Sequence, residues 1–336
     1  MTQNLIKAEL HAHLEGTLSP EMLFQLAERN QVDVPFGIIT PDHKNYRWDE
    51  HPDAGKNLLA FVNAYDRATN VIKTPKDYFD ITYDYLRRCA EENSIYEELT
   101  IYADPEPTVG ISYAAMLDAL SDAIDCARTD FSIETRLLAA FVRHYGVERS
   151  RKDAETVVAN PHKYVTGITM AGAEDMHAVA DFVPAYKRVH DALGLQMTAH
   201  AGEATGPETI RACHEMLGIT RFGHMVRVVE DADLMHQLAE KGCVAEVCPS
   251  SNIALKVYDS LDDHPLNIMH EAGLKLTLNS DDPPFFKTTL GHEYDLGATH
   301  FGLSHQTLNR FTKNAIEAAF VDEQTRTQLL ERLGPV

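Results

Sequence analysis

The segment Lys7–Gly16, KAELHAHLEG, carries the most informative chemistry in the sequence. Apolar residues precede His11 and His13, and side chains alternate between the two faces of a strand, so both histidines point the same way. Two imidazoles on one face at a strand end suit a single metal ion. An isolated His-x-His can also be two ordinary polar residues at a strand end, so its interpretation depends on the rest of the chain.

Three later segments place further ligand-type or proton-transfer residues where an apolar run gives way to a loop. They are His200-Ala201-Gly202-Glu203, Gly223-His224 and Asn279-Ser280-Asp281-Asp282-Pro283. Taken singly, each has a structural alternative, such as a capping aspartate, a surface histidine or a turn. Taken together and in this order, they indicate one site at the carboxyl ends of strands.

These motifs resemble those of the adenosine deaminase family of the amidohydrolases, and the resemblance covers residues 7–333. Further matching segments are Cys248-Pro249-Ser250-Ser251-Asn252 and, with a weaker match, Lys287-Thr288-Thr289-Leu290. The family usually has glycine after the histidine of the Gly-His pair, whereas this chain has Met225. That departure leaves the shape of the local loop and the size of the pocket open, but not the chemistry.

Short apolar runs alternate with helical patterns along the 336 residues, which predicts repeated strand–helix units and a parallel sheet. We therefore expect one α/β domain, residues 1–336, folded as a TIM (β/α)8 barrel. The candidate strands are residues 6–10, 96–102, 135–141, 164–169, 195–199, 221–222, 244–247 and 275–278. The strand at residues 221–222 is assigned on the resemblance.

Helix signals fall between these strands. Ser19-Pro20 and Thr74-Pro75 each combine a capping residue with proline at the first helical position, and Asn30 can end the first of these helices. The residues that recur at helical spacing after the second signal, and so predict a core-facing stripe, are Tyr78, Ile81, Thr82, Tyr85, Leu86 and Cys89. Residues 14–73 are too many for one strand-to-helix loop, so we expect a helical lid insertion there, with Phe61 either lining the pocket or packing locally.

The composition argues against several classes of partner. A net charge of −21 and a pI near 5.1 disfavour nucleic acid and anionic membranes, because an acidic surface repels phosphate. The cysteines number five and form no Cys-x-x-Cys, which favours a reducing compartment. The N-terminal residues lack the apolar core of a signal peptide, and no apolar run is long enough to span a membrane. We expect a cytoplasmic protein that binds a small molecule; its oligomeric state is not determined by the sequence.

Four of the candidates offer three imidazole nitrogens and one carboxylate oxygen: His11, His13, His200 and Asp281. This donor set contains no sulfur and suits Zn²⁺ with one position left open for water. Related amidohydrolases with two metals carry a bridging lysine or glutamate on the fourth strand, and neither stands at the tip of that strand here. We therefore expect one Zn²⁺ per chain, which would lower the pKa of its bound water toward ~7.

The remaining candidates suit proton transfer. Attack of water on an aromatic carbon that bears an amine also requires a proton on the ring, and Glu203 can supply it if burial raises its pKa. His224 can orient the hydroxide and stabilise the developing charge. Asp281 can take the proton of the water as well as bind the metal. Asp282 can form a hydrogen bond with a ring nitrogen.

The resemblance implies more about the substrate than the spacing does. It implies a purine ring with Glu203 at N1, Asp282 at N7 and the backbone amide of Gly172 at N3. It also implies that His13 and Glu15 contact the substrate. The product would be a 6-oxo purine, released with ammonia.

Two features of the sequence favour different purines. The segment Met170-Ala171-Gly172-Ala173-Glu174 resembles the nucleoside branch of the family, and on this basis we expect adenosine and 2′-deoxyadenosine as substrates. Glu15 is instead typical of adenine enzymes, since nucleoside enzymes often have aspartate there to meet a ribose hydroxyl. Adenine or an N6-substituted adenine therefore remains the alternative substrate.

Other functional classes fit the sequence less well. The zinc deaminases that carry His-x-Glu also require Pro-Cys-x-x-Cys, which is absent, and no His-Glu-x-x-His of a metalloprotease occurs. A barrel that binds a nucleoside without turnover would be expected to lack a ligand or the acid. All the catalytic-type residues are present, which favours an enzyme.

Overall fold

The structure, a computed structural model, describes residues 2–336. Within these residues the strands are β1 (Lys7–His13), β2 (Ser94–Tyr102), β3 (Glu134–Val142), β4 (Val165–Ala171), β5 (Gln196–Met197), β6 (Ala199–Ala201), β7 (Arg221–His224), β8 (Val244–Val247) and β9 (Lys275–Leu278). The α-helices are α1 (Pro20–Asn30), α2 (Ala54–Ala68), α3 (Pro75–Glu91), α4 (Glu106–Val109), α5 (Tyr113–Phe131), α6 (Val147–Ala159), α7 (Val179–Leu193), α8 (Pro207–Leu217), α9 (Ala232–Glu240), α10 (Pro249–Ala254), α11 (Leu266–Glu271), α12 (Pro283–Phe286), α13 (Leu290–Thr299), α14 (His305–Ala318) and α15 (Glu323–Leu333). None of the helices in this part of the chain combines the length and apolarity needed to cross a membrane.

The strands pair in parallel in two sheets, with the orders β1-β2-β3-β4-β5 and β6-β7-β8-β9. At one junction between the sheets only Thr198 separates β5 from β6, and its N–H donates to the carbonyl of Ile168 in β4 (3.0 Å). At the other junction Ala12 of β1 pairs in parallel with Asp281, just beyond β9. With β5 and β6 counted as one interrupted strand, this is the expected eight-stranded (β/α) barrel.

The predicted strands are all present, with differences at their ends. β1 runs to His13 rather than stopping at residue 10, because Ala12 pairs with a neighbour on each side. The fifth predicted strand is broken at Thr198, whose side-chain hydroxyl bonds the carbonyl of Arg221 (2.8 Å) on the next strand. β7, which only the resemblance indicated, is confirmed and is two residues longer than predicted.

The helix signals in the sequence are confirmed by the caps that they form. The Ser19 side chain accepts a hydrogen bond from the Met22 N–H (3.1 Å), and α1 ends at Asn30 as predicted. Thr74 and Asp77 form a capping box at the start of α3. The predicted stripe of α3 is buried along its whole length, as core packing requires.

The segment between β1 and α3 is the predicted helical insertion and contains α1 and α2. Phe61 of α2 packs against Phe285 and Phe286 of α12, with ring centroids 5.5 and 4.9 Å apart. Phe61 also lines the main cavity. The two roles considered for Phe61 are therefore combined in one side chain, and α2 forms a wall of the cavity.

Two fully buried carboxylates face each other between β1 and β2. Glu9 and Glu97 are register partners on these strands. Glu9 accepts hydrogen bonds from the Tyr85 hydroxyl (2.7 Å) and the Ser280 N–H, whereas neither oxygen of Glu97 has a hydrogen-bond partner. Burial raises the pKa of Glu97 well above its usual range, and the neighbouring charge of Glu9 raises it further. The pair is therefore most stable when Glu97 is neutral.

We predict that Glu97→Gln is more stable than the parent protein at alkaline pH. Because the pKa of Glu97 is higher in the folded state than in the unfolded chain, its stabilising effect is complete at acidic pH and declines as the pH rises. Glutamine keeps the shape and cannot ionise. The advantage of the variant in urea unfolding should grow by about 1 kcal/mol or more from about pH 5 to about pH 8, since one pKa unit corresponds to about 1.4 kcal/mol.

The matched control for this experiment is Glu331→Gln, which changes an exposed glutamate of α15. Its effect on the free energy of unfolding should not vary with pH. An advantage of Glu97→Gln that is the same at both pH values would contradict the assignment of Glu97 as a neutral acid.

Candidate active site and metal centre

The structure brings the four expected metal ligands together at the carboxyl ends of the strands. His11 and His13 lie at the end of β1, His200 lies in β6 and Asp281 follows β9. One potential ligand atom from each lies within 4.8 Å of the others. The Nε2 atoms of His13 and His200 are 3.1 Å apart, and Asp281 Oδ1 is 3.3 Å from His13 Nε2.

These residues fit a cation at their centre. His11 Nδ1 is 2.9 Å from Glu246 Oε2, which leaves the buried Nε2 atom of His11 without a hydrogen-bond partner and facing the other ligands. Burial opposes protonation of His11, but the neighbouring carboxylates of Asp281 and Glu246 raise its pKa to about 10, so the site favours positive charge. Burial and the neighbouring histidines lower the pKa of His200 well below its usual value, which favours the neutral, metal-binding form.

The two expected proton-transfer residues lie beside this cluster. Glu203 Oε1 is 3.5 Å from His224 Nε2, which is in turn 3.9 Å from Asp281 Oδ2. Burial, together with the charges of Asp281 and Glu174, raises the pKa of Glu203 well above its usual range. Burial and the charge of His11 lower the pKa of His224 to about 3. Glu203 is therefore suited to donate a proton, and His224 to act as a neutral imidazole.

Glu174 holds the loop that carries the expected acid, a role that the sequence did not reveal. Its carboxylate accepts hydrogen bonds from the backbone N–H groups of Gly202 (2.6 Å), Glu203 (3.0 Å) and Thr205 (2.8 Å). Gly202 has a φ of 71°, a conformation that favours glycine. The sequence offered no signal for this contact, because Glu174 follows a different strand.

Two further supporting residues were also not predicted. Glu246 orients His11 and is a lone charge in the apolar run of β8, which is a signal that sequence reasoning could have used. Asn252 contacts His224 Nδ1 through its side-chain nitrogen (3.3 Å) and His264 through its oxygen (3.1 Å). Partners of this kind orient a histidine ring and determine which nitrogen faces the site.

The expected substrate-binding residues line the cavity next to the metal cluster. Asp282 is buried and its Oδ1 atom has no hydrogen-bond partner, while burial and the neighbouring Asp281 raise its pKa well above the usual range. Gly172 has a φ of 85°, so its backbone adopts a turn at the cavity wall. Both oxygens of Glu15 are engaged, by the hydroxyls of Tyr65 (3.2 Å) and Tyr78 (3.1 Å).

Met225 occupies a left-handed backbone position with a φ of 58°, which explains why glycine would suit it. Its side chain is fully buried in the hydrophobic core and does not line the cavity. The departure from the family pattern at Met225 therefore adds a side chain to the hydrophobic core and none to the cavity lining.

A second group of polar side chains outside the metal cluster contributes to the cavity wall. We call Asp66, Tyr102, His144 and Tyr145 the Asp66 cluster. Asp66 Oδ1 accepts hydrogen bonds from the hydroxyls of Tyr102 (3.1 Å) and Tyr145 (2.8 Å), and Asp66 Oδ2 lies 3.3 Å from His144 Nε2. Asp66 belongs to α2 of the insertion, so this wall joins the insertion to the strand ends.

The full cavity lining is His13, Glu15, Leu58, Phe61, Val62, Tyr65, Asp66, Thr100, Ile101, Tyr102, Ala140, Val142, His144, Ala171, Gly172, His200, Glu203, His224, Leu255, Asp281 and Asp282. More than half of these residues are polar or ionisable, and aliphatic and aromatic side chains make up most of the rest.

Comparisons with known proteins agree with this geometry. A family model described as "Adenosine deaminase" matches residues 6–335. An adenine deaminase from Sinorhizobium fredii is 42% identical over 333 residues, with 99% of each sequence covered. The crystal structure of an adenine deaminase from Arthrobacter aurescens has a TM-score of 0.87 and 28% identity, with 97% of each chain covered. An amidohydrolase from Burkholderia ambifaria with bound Zn has a TM-score of 0.84 and 25% identity, covering 98% of this chain and 93% of that one. The chain shares both the sequence pattern and the barrel of these enzymes and belongs to the adenosine deaminase family.

Proposed function

We propose that this protein is a zinc-dependent adenine deaminase that converts adenine and water to hypoxanthine and ammonia. The sequence alone favoured adenosine, with adenine as the alternative. The relatives support the alternative, because the curated proteins with 39–42% identity over nearly the whole chain are named adenine deaminase. Adenosine deamination is a related activity that requires the same chemistry at C6 but additional room for a ribose.

The arrangement around Glu15 is the observation that carries this proposal. Both of its carboxylate oxygens accept hydrogen bonds from tyrosine hydroxyls, and the side chain is buried. Burial raises the pKa of Glu15 to about 7. A carboxylate oxygen can accept a second hydrogen bond, but the two tyrosine hydroxyls hold the Glu15 carboxyl group in a fixed orientation and leave it little freedom to turn toward a ribose hydroxyl.

The charge of the cavity also argues for an uncharged base. Among the described residues that line it, none is lysine or arginine, whereas several are carboxylates. A nucleotide phosphate would therefore enter without a counter-charge and close to acidic groups. An N6-substituted adenine is uncharged and remains the second candidate, because its amine would leave from the same position.

We assign the metal to His11, His13, His200 and Asp281, which have the donor types and spacing described above. When bound there, Zn²⁺ supplies hydroxide at neutral pH by lowering the pKa of water. Glu246 holds His11 in the orientation that this requires. The cluster uses one carboxylate and three imidazoles, as expected for one metal per chain.

The other residues position the base and move its protons. Glu203, neutral because it is buried, donates its proton to N1 of the ring and so makes C6 more electrophilic. His224 orients the attacking water, and the Gly172 N–H donates to N3. Asp282 forms a hydrogen bond at N7. Asp281 takes a proton from the attacking water. The two hydrogens of that water restore the acid form of Glu203 and convert the departing C6 amine to ammonia, which leaves the 6-oxo purine.

We predict that the purified protein contains about one Zn²⁺ per chain and that Glu203→Gln retains it while losing at least ~10²-fold in turnover. Glutamine keeps the size of the side chain but cannot donate the acid proton. His200→Ala should lose both the metal and the activity. Elemental analysis and ammonia release measure the two quantities separately.

The matched control is Glu215→Gln, which alters an exposed glutamate on α8 and should preserve both metal and turnover. Two metals per chain, or none, would contradict the assigned centre. Turnover of Glu203→Gln within a few-fold of the parent would show that another group donates the proton.

We also predict that kcat/KM is at least about tenfold higher for adenine than for adenosine. A buried polar group left without a well-placed partner costs about 1–3 kcal/mol, which corresponds to a factor of about 10 to 100 in rate. Ammonia release from adenine, adenosine and N6-methyladenine in one assay measures the preference. Equal or better turnover of adenosine would refute the proposed substrate while leaving the deaminase chemistry in place.

A further inference from the structure

We propose that His144 recognises the N9–H group of a free purine and thereby sets the preference for a base over a nucleoside. This inference rests on the proposed adenine deaminase function. His144 lies in the 3₁₀ helix Arg143–Tyr145, which directly follows β3, and its side chain lines the cavity. It lies outside the candidate metal cluster and has no part in the proton transfers described above.

Asp66 determines which nitrogen of His144 carries the hydrogen. His144 Nε2 lies 3.3 Å from Asp66 Oδ2, and an ionised carboxylate can only accept hydrogen bonds. In the neutral ring the hydrogen is therefore on Nε2, and Nδ1 carries a lone pair. His144 Nδ1 is buried and has no hydrogen-bond partner. An acceptor of this kind is costly to bury unless a ligand donates to it.

The position of His144 Nδ1 beside Gly172 indicates which group of a purine would donate a hydrogen bond to it. A Cβ atom added at Gly172 would lie 2.5 Å from His144 Nδ1, so the ring packs directly against the Gly172 backbone. With Gly172 N–H at purine N3, as proposed above, the wall offers a donor and an acceptor side by side. The purine edge offers the complement, because N3 is an acceptor and the neighbouring N9–H is a donor only in the free base.

A substituent at N9 would remove this donor and place a carbon atom against the Nδ1 lone pair. The rest of the Asp66 cluster limits adjustment, because the hydroxyls of Tyr102 and Tyr145 hold Asp66, and Asp66 holds the ring. With an N9-substituted purine bound, the buried Nδ1 acceptor of His144 would remain unpaired. A site that pairs with a substrate N–H strongly rejects an analogue that lacks this group.

The experiment compares adenine with 9-methyladenine, which differs only at N9. We expect the parent enzyme to favour adenine at least about tenfold in kcat/KM. His144→Leu removes the acceptor and should lower kcat/KM for adenine about 10- to 100-fold, while 9-methyladenine changes by less than about threefold. His144→Asn retains an acceptor oxygen near the position of Nδ1 and should recover most of the preference for adenine.

Two further variants separate recognition from structure. Asp66→Asn can donate to Nε2 and so move the ring hydrogen to Nδ1, which should lower turnover of adenine more than that of 9-methyladenine. His236→Leu changes an exposed histidine on α9 and should leave both substrates unaffected.

Two results would overturn the proposal. If His144→Leu changes kcat/KM for both substrates by the same factor, or for neither, the ratio stays unchanged and His144 has no part in recognising N9–H. If His144→Leu does not fold, the parent enzyme alone provides the test. A kcat/KM for 9-methyladenine within about threefold of that for adenine would exclude recognition of N9–H. In each of these cases good turnover of adenine by the parent would leave the proposed function standing, whereas a preference for adenosine would refute both.

Discussion

The backbone pairing between the end of β1 and the residue after β9 is the interaction on which the rest of the structure depends. The His13 N–H donates to the Asp281 carbonyl and the Asp281 N–H donates to the His11 carbonyl, each at 3.0 Å. These bonds join the first and last strands of the barrel and also connect three of the four candidate metal ligands. Asp281 adopts a φ of 63° here, a left-handed conformation that costs a non-glycine residue about 1–2 kcal/mol. Closure of the barrel and assembly of the site are therefore the same structural event.

The carboxyl groups of the site differ in the direction of their pKa shifts. The neighbouring imidazoles of His11 and His13 outweigh the effect of burial and hold the pKa of Asp281 well below its usual range, whereas burial and the charge of Asp281 raise the pKa of Asp282 and Glu203. Neighbouring carboxyl groups with such different environments can serve as ligand, hydrogen-bonding group and acid at one pH. The site therefore obtains distinct chemical roles from residues of the same type.

A buried network of ion pairs supports the orientation of one candidate ligand, His11. Arg221 lies between Glu98 (2.6 Å) and Glu246 (2.7 Å), and Glu246 in turn orients His11. The part of the cavity wall that contains Asp66 and His144 is built differently, by α2 and by the segment after β3. The candidate metal ligands therefore lie at strand ends, whereas the insertion and a neighbouring loop form this other part of the wall. Selectivity can consequently vary without disturbing the metal cluster.

The sequence by itself determined the barrel, the positions of its strands, and the residue types of the candidate metal cluster and of the candidate acid. Periodicity, caps and motif spacing are local properties, so they can be recognised without knowing which elements pack together. The partners of those residues were decided by the tertiary structure, because His11 and Glu246 are 235 residues apart and Asp66 and His144 are 78 apart. No local pattern encodes which of many carboxylates meets a given histidine. The supporting contacts, and the polar wall that we propose selects the substrate, exist only once β1, β8 and the insertion have been brought together by folding.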